Sequence, residues 1–249
     1  MSQLLFIDAK WEGKIELTKK LADFIKKQNP RSIALFASVQ FTNLTNLIEQ
    51  MKKLGIKINI TKAKRTNKSL QVLGCDCHED SFKDPIIQNS DLILYVGDGL
   101  FHPKALLLSQ INKKNPTTLV IFNPIADKVE LINSNAIFNQ LKKAKRNLKL
   151  FINANTIGIL VTIKPGQQYL QAAKKLKEKL EEEGKKAYIF IDDTININDL
   201  ENYPFIQAWV NTACPRIGTD DILNTNHTLI NLREAINPIK ALEDLENAE

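Results

Sequence analysis

Short apolar runs that stop after about eight residues, each followed by a stretch with apolar residues three and four apart, constrain this fold more than any single motif. Ser32 to Ser38 reads as a buried strand, and Leu44, Leu47, Ile48, Met51 and Leu54 then keep helical spacing until Gly55 ends the pattern. Alternation returns over Ile56 to Ile60 and again up to Gly74. Leu92 to Val96 and Thr118 to Phe122 are further strands, with a helix from Lys104 to about Ile111 between them. The second half repeats the plan. A helix from about Ser134 to Asn153 leads to a strand at Thr156 to Ile163, a helix from Gln167 to Glu183 stopped by Gly184, and strands at Ala187 to Ile191 and Phe205 to Val210. This rhythm predicts an α/β protein of two consecutive small parallel-sheet domains with helices on both faces, related to each other as repeats and spanning residues 1–140 and 141–249.

At 249 residues and 43% hydrophobic, the chain has core enough for two such domains without disulfides. No apolar run approaches the ~18 residues of a membrane span, and the N-terminal residues lack the pattern of a signal peptide. Three cysteines, an odd number far apart, suit a reducing compartment, so a cytoplasmic protein with no membrane association is expected. The net charge of +6 is spread over helical stretches such as Lys142 to Lys149 and Lys174 to Lys186, which read as solvated faces, and no direct nucleic-acid binding is expected.

The chemistry-bearing residues gather where strands end, the edge at which open α/β sheets bind ligands. Cys214 follows the Phe205 to Val210 strand, with Pro215, Arg216, Asp220 and Asp221 close behind. Cys75 stands at the matching place in the first half, after Leu70 to Gly74. Arg216 is suited to pair a carboxylate bidentately, and Asp220 and Asp221 either take ribose hydroxyls or hold Arg216. Gly97, Asp98 and Gly99 follow the Leu92 to Val96 strand. They form either a ligand cradle, with Asp98 accepting from an amino group, or a strand-to-helix turn that Asp98 caps; His102 before Pro103 would orient that turn. Pro165, Gly166 and Gln167 read as a helix opening whose N–H groups attract a carboxylate. Cys77, two residues from Cys75, is either a third metal ligand or a buried thiol. Cys75, Cys77 and His78 lack the second pair that a structural zinc site needs, which leaves His78 an exposed loop residue. Trp11 and Trp209 read as packing residues.

Taken together, Leu70 to Cys75, Val96 to Pro103 and Val210 to Asp221, with weaker support from Thr156 to Gln167 and Ala9 to Gly13, resemble the diphthamide synthase family, the 2-(3-amino-3-carboxypropyl)histidine synthases. The resemblance implies three-domain homodimers in which each domain donates one cysteine to a single 4Fe-4S cluster. Such enzymes cleave S-adenosylmethionine to an aminocarboxypropyl radical and attach it to a histidine of translation elongation factor 2. By position, Cys75 matches the second-domain ligand and Cys214 the third-domain ligand, and the two are expected to converge on one cluster. Three thiolates leave one iron to chelate the amino and carboxylate groups of S-adenosylmethionine. The family's first domain has no counterpart ahead of Ala9, so the third sulfur comes from a partner chain, from Cys77, or not at all in a paralogue that has lost the chemistry. A homodimer or heteromer, an electron donor and elongation factor 2 are the implied partners. The non-catalytic alternative is an accessory subunit that docks elongation factor 2 or completes a partner's site.

Overall fold

A computed structural model describes residues 10–111, 113 and 115–247. Of the weaker Ala9 to Gly13 motif, Ala9 lies outside the described residues. The chain divides into two compact units, Met1–Ala136 and Ile137–Glu249.

In the first unit, α1 (Lys19–Gln28) buries Leu21 and Ile25, one helical turn apart, and is capped by the Thr18 hydroxyl, which accepts from the Leu21 N–H at 3.3 Å. A five-stranded sheet runs in the order β2-β1-β3-β4-β5, formed by β1 (Ser32–Ala37), β2 (Lys57–Asn59), β3 (Leu92–Val96), β4 (Thr118–Asn123) and β5 (Lys128–Ile132). Every residue of β3 is buried, as an unbroken apolar run at the sheet centre requires. The first four strands are parallel, with Val96 level with Ala37 on one side and Phe122 on the other. Between β1 and β2, α2 (Thr45–Lys53) seats Leu47 and Met51 in the core. It ends in a Schellman turn at Gly55, whose φ of +80° suits glycine. A third helix, α3 (Phe101–Leu108), follows β3 and starts three residues ahead of the expected Lys104.

Two features of this unit depart from the sequence reading. β5 is antiparallel and went unread, because its alternate residues are only half-buried at the sheet edge. The hairpin before it is set by the Asn123 side chain, which accepts from the N–H groups of Ile125 and Ala126 at 3.0 and 3.1 Å. Leu70 to Gly74 is no strand. Leu70 is left-handed at φ 72°, Gln71 bridges the end of β1 at Ala37, and the chain then turns back on itself.

The second unit is a four-stranded, wholly parallel sheet in the order β7-β6-β8-β9, built from β6 (Thr156–Thr162), β7 (Lys186–Asp192), β8 (Ala208–Asn211) and β9 (Leu229–Asn231). Its helices are α4 (Phe138–Asn153), α5 (Leu170–Glu182), α6 (Pro215–Thr219), α7 (Leu232–Ile236) and α8 (Pro238–Glu246). α4 is tied to the sheet by the buried Asn147, whose side chain donates to the Leu229 carbonyl at 2.9 Å. α5 ends in a second Schellman turn at Gly184. On one face Leu160, Trp209 and Leu229 pack with Leu200, Ile206 and Ile222 from short 3-10 and loop segments. Trp209 is buried and lies over Gly158, where a Cβ would sit 2.3 Å from the ring. Strand β8 begins at Ala208; Phe205 stands in the preceding turn, 54% exposed, edge-on to Tyr188. Trp11 differs from Trp209: it is 45% exposed, resting against Phe41 and over Gly13.

Candidate functional site

Each unit presents one half-buried cysteine: Cys214 just beyond the C-terminal end of β8, and Cys75 in the loop whose Gln71 bridges Ala37 at the end of β1; none of the three cysteines is in a disulfide. In the first unit the Asp76 N–H donates to the Leu73 carbonyl at 2.9 Å, closing a turn with Cys75 near its apex. The flanks of that turn are anchored. Gly74 is required because a Cβ there would lie 2.4 Å from the Phe101 ring. Asp76 is buried and accepts the Arg65 backbone N–H. Cys77 is 1% exposed, and its Sγ–H points to the carbonyls of Gly74 and Ala105, each at 3.4 Å. The Cys-Asp-Cys string is therefore sorted by the fold into one presented thiol and two inward anchors. His78 is half-buried.

After β3, the Gly97 N–H continues the ladder to Phe122 O, Gly99 takes φ +70°, and Asp98 is exposed. The α3 N-cap is Leu100, without a side-chain cap bond, so Asp98 does not cap the helix. Tyr95, unread in the sequence, stands under this turn with its hydroxyl 3.2 Å from His102 Nδ1. Burial raises the Tyr95 phenol above its ordinary pKa, and the Asp98 carboxylate adds to the shift. Burial lowers the His102 imidazole, with Asp98 acting the other way. Both groups are then neutral, and the direction of their hydrogen bond follows the imidazole tautomer. A tyrosine inside the apolar run Leu-Ile-Leu-Tyr-Val was its only trace in the sequence.

In the second unit Cys214 is the N-cap residue of α6, with Pro215 at the first helical position. Its backbone is held by two asparagines. The Asn211 side-chain amide donates to Cys214 O and to Asn231 Oδ1, both at 2.8 Å, while Asn211 Oδ1 accepts the Ala213 N–H at 3.0 Å. Asn231 in turn donates to Pro215 O at 3.2 Å and forms a capping box with Glu234 at the start of α7. Burial pushes the Glu234 carboxyl up to about 7, against the hydrogen bonds from Asn231 and the charge of Arg233. Neither asparagine was singled out from the sequence, where both pass as ordinary strand-end residues. Arg216 lies 3.6 Å from Asp220 and 3.8 Å from Asp221 through its Nε, a largely exposed cluster on and just after α6.

The Pro165 to Gln167 segment is not a helix opening. The Gln167 N–H is committed to Lys164 O in a tight turn with Gly166 at φ +77°, and α5 begins at Leu170. An open cleft of about 430 Å³ lies in the first unit between Thr61, Lys62, Lys64, Ser69, Lys83 and Asp84, and none of its lining residues is among those singled out. Among the described residues, no three His, Cys, Asp or Glu side chains gather as a metal shell, and no helix is long and apolar enough to cross a membrane.

These loops define an open parallel-sheet protein that presents single thiols, one per unit, beside strand ends. A family model described as "Putative diphthamide synthesis protein" matches residues 2–241. The chain belongs to that family. It is 26% identical over 208 residues to the 2-(3-amino-3-carboxypropyl)histidine synthase of Pyrococcus horikoshii, covering 83% of this chain and 56% of that protein. It is likewise 26% identical over 189 residues to the protein of the same name from Methanocaldococcus jannaschii, covering 73% of this chain and 51% of that one. The crystal structure of Dph2 from Pyrococcus horikoshii with a 4Fe-4S cluster matches at a TM-score of 0.74 and 22% identity, over 92% of this chain and 64% of that one. At that identity the likeness establishes the fold. The chain spans about half the length of the curated relatives it matches.

Proposed function

We propose that this chain acts in diphthamide biosynthesis, in the transfer of a 3-amino-3-carboxypropyl group from S-adenosylmethionine to a histidine of translation elongation factor 2. The reading is carried by one observation: in a member of this family, the two half-buried cysteines stand on turns that anchor the surrounding backbone. Two thiols with fixed backbones suit a thiolate-held iron-sulfur cluster, and a cluster was found in the Dph2 structure this chain resembles. Cys75 and Cys214 would hold the 4Fe-4S group, and the two units stand for the family's second and third cysteine-bearing domains. When bound, the cluster supplies the electron that breaks the sulfonium bond on the aminocarboxypropyl side. The chain's own work is positional. Arg216, paired with Asp220 and Asp221, would take the methionine carboxylate, and Asp98, exposed beyond β3 and next to Gly97, would accept from its amino group.

The burial of Cys77 sets it apart from Cys75 and Cys214 as a ligand. A third thiol would then come from outside these two units, and an electron donor would complete the system. The same observation supports the second reading, in which the chain is an accessory subunit. Anaerobic reconstitution with iron and sulfide, read by iron content and electron paramagnetic resonance, tests the assignment. Cys75→Ser and Cys214→Ser are expected to lower iron loading, and Cys77→Ser to leave it unchanged. Release of methylthioadenosine with reductant and S-adenosylmethionine supports the catalytic reading. Iron loading indifferent to Cys75 and Cys214 would overturn the proposal.

A further inference from the structure

We infer that the side-chain amides of Asn211 and Asn231 are positioning residues for Cys214: together they fix the backbone that presents its thiol. The inference rests on the reading of Cys214 as a ligand, but its geometry stands without it. Asn211 closes the last turn of β8 from both sides, accepting the Ala213 N–H at 3.0 Å and donating to the Cys214 carbonyl at 2.8 Å. These two bonds span the residue before the thiol and the thiol residue itself. Asn231, the last residue of β9, receives the Asn211 amide at 2.8 Å and reaches the carbonyl of Pro215 at 3.2 Å. One side-chain pair thus bonds three consecutive backbone groups, at Ala213, Cys214 and Pro215. Both asparagines are nearly fully buried, at 2% and 7% exposure.

The surroundings leave the pair little freedom. A Cβ at Gly218 would lie 2.4 Å from Asn231 Oδ1, so α6 approaches the amide as closely as a glycine allows. Asn231 is held from the far side by Glu234, whose carboxylate accepts its N–H at 2.5 Å. Buried amides in such a chain are costly to leave unpaired, and residues behind a ligand commonly set its orientation. A hydroxyl in place of either amide is too short to reach both partners. Asparagine is required here for its length and for carrying a donor and an acceptor at once.

Asn231→Ser separates positioning from helix capping, because serine remains a good N-cap for α7 yet cannot bridge to Asn211 and Pro215. In the full chain without iron, Cys214 of Asn231→Ser and of Asn211→Ala is expected to react with iodoacetamide at least about threefold faster than in the parent, followed by mass spectrometry of each cysteine peptide. Cys75, in the same sample, should keep its rate and serves as the internal reference. Loosening of the whole chain would move both cysteines together, and loosening of the second unit alone would also speed amide exchange in β7, away from the pair. Glu234→Gln, which keeps the capping box, should leave Cys214 unchanged. Two folded variants with parental Cys214 rates would overturn the inference, as would an equal change at Cys75. If the variants do not fold, hydrogen exchange in the parent decides. The Ala213 amide should be slowed on the order of a hundredfold or more by its bond to Asn211, and unprotected exchange would overturn the inference. Iron loading of the same variants is a separate readout: altered thiol rates with loading indifferent to Cys214→Ser would keep the positioning role and remove the ligand role.

Discussion

Glu234 ties the stability of the second unit to pH in a direction opposite to that of an ordinary surface carboxylate. Burial raises its pKa from 4.5 to about 7, so the folded chain binds this proton more tightly than the unfolded chain does. The stabilisation is fully present below the unfolded value and is lost as pH rises through the folded one. At ~1.4 kcal/mol per unit of displacement, the whole effect has an upper bound of roughly 3 to 4 kcal/mol. The side chain keeps part of its surface in solvent, which brings the expected loss between about pH 5 and pH 8 nearer 1–2 kcal/mol. Glu234→Gln removes the titration while keeping a side chain that can accept the Asn231 N–H. Urea unfolding of parent and variant at both pH values reads the difference directly, because other titrating groups are common to both. The variant should match the parent near pH 5 and exceed it by about 1–2 kcal/mol near pH 8. Parallel pH profiles for the two proteins would mean that Glu234 titrates alike in the folded and unfolded chain.

Gly158→Ala should destabilise the second unit by about 1–3 kcal/mol in the same assay, since the new methyl group meets the buried Trp209 ring at 2.3 Å and the core has no room to yield. A neutral result would show that the Trp209 ring shifts to admit the methyl group, against the tight packing read here. The imidazole of His102 should titrate below its ordinary 6.5 by nuclear magnetic resonance, and Asp98→Asn should lower it further, because that carboxylate favours the charged ring. An upward shift in Asp98→Asn would contradict the assignment.

Features set by near neighbours along the chain are legible in the residues alone. The run Leu92 to Val96 could only be a buried strand, and Gly55 and Gly184 stop helices because the left-handed residue after each lets two N–H groups return to the last turn. The family was legible because its motifs are continuous strings. The tertiary structure decided wherever a residue's role depends on a partner far along the chain. Cys75 and Cys77 are equivalent in the string, and the fold turns one of them inward, toward the carbonyl of Ala105, 28 residues on. Pro165 to Gln167 has the composition of a helix start, yet the bond back to Lys164 closes a turn first. Asn211 and Asn231 meet across 20 residues because β8 and β9 lie side by side in register. Local propensity records the cost of a backbone conformation at one position. The worth of a buried polar group is set by the partner the fold brings to it, and that partner has no fixed spacing in sequence.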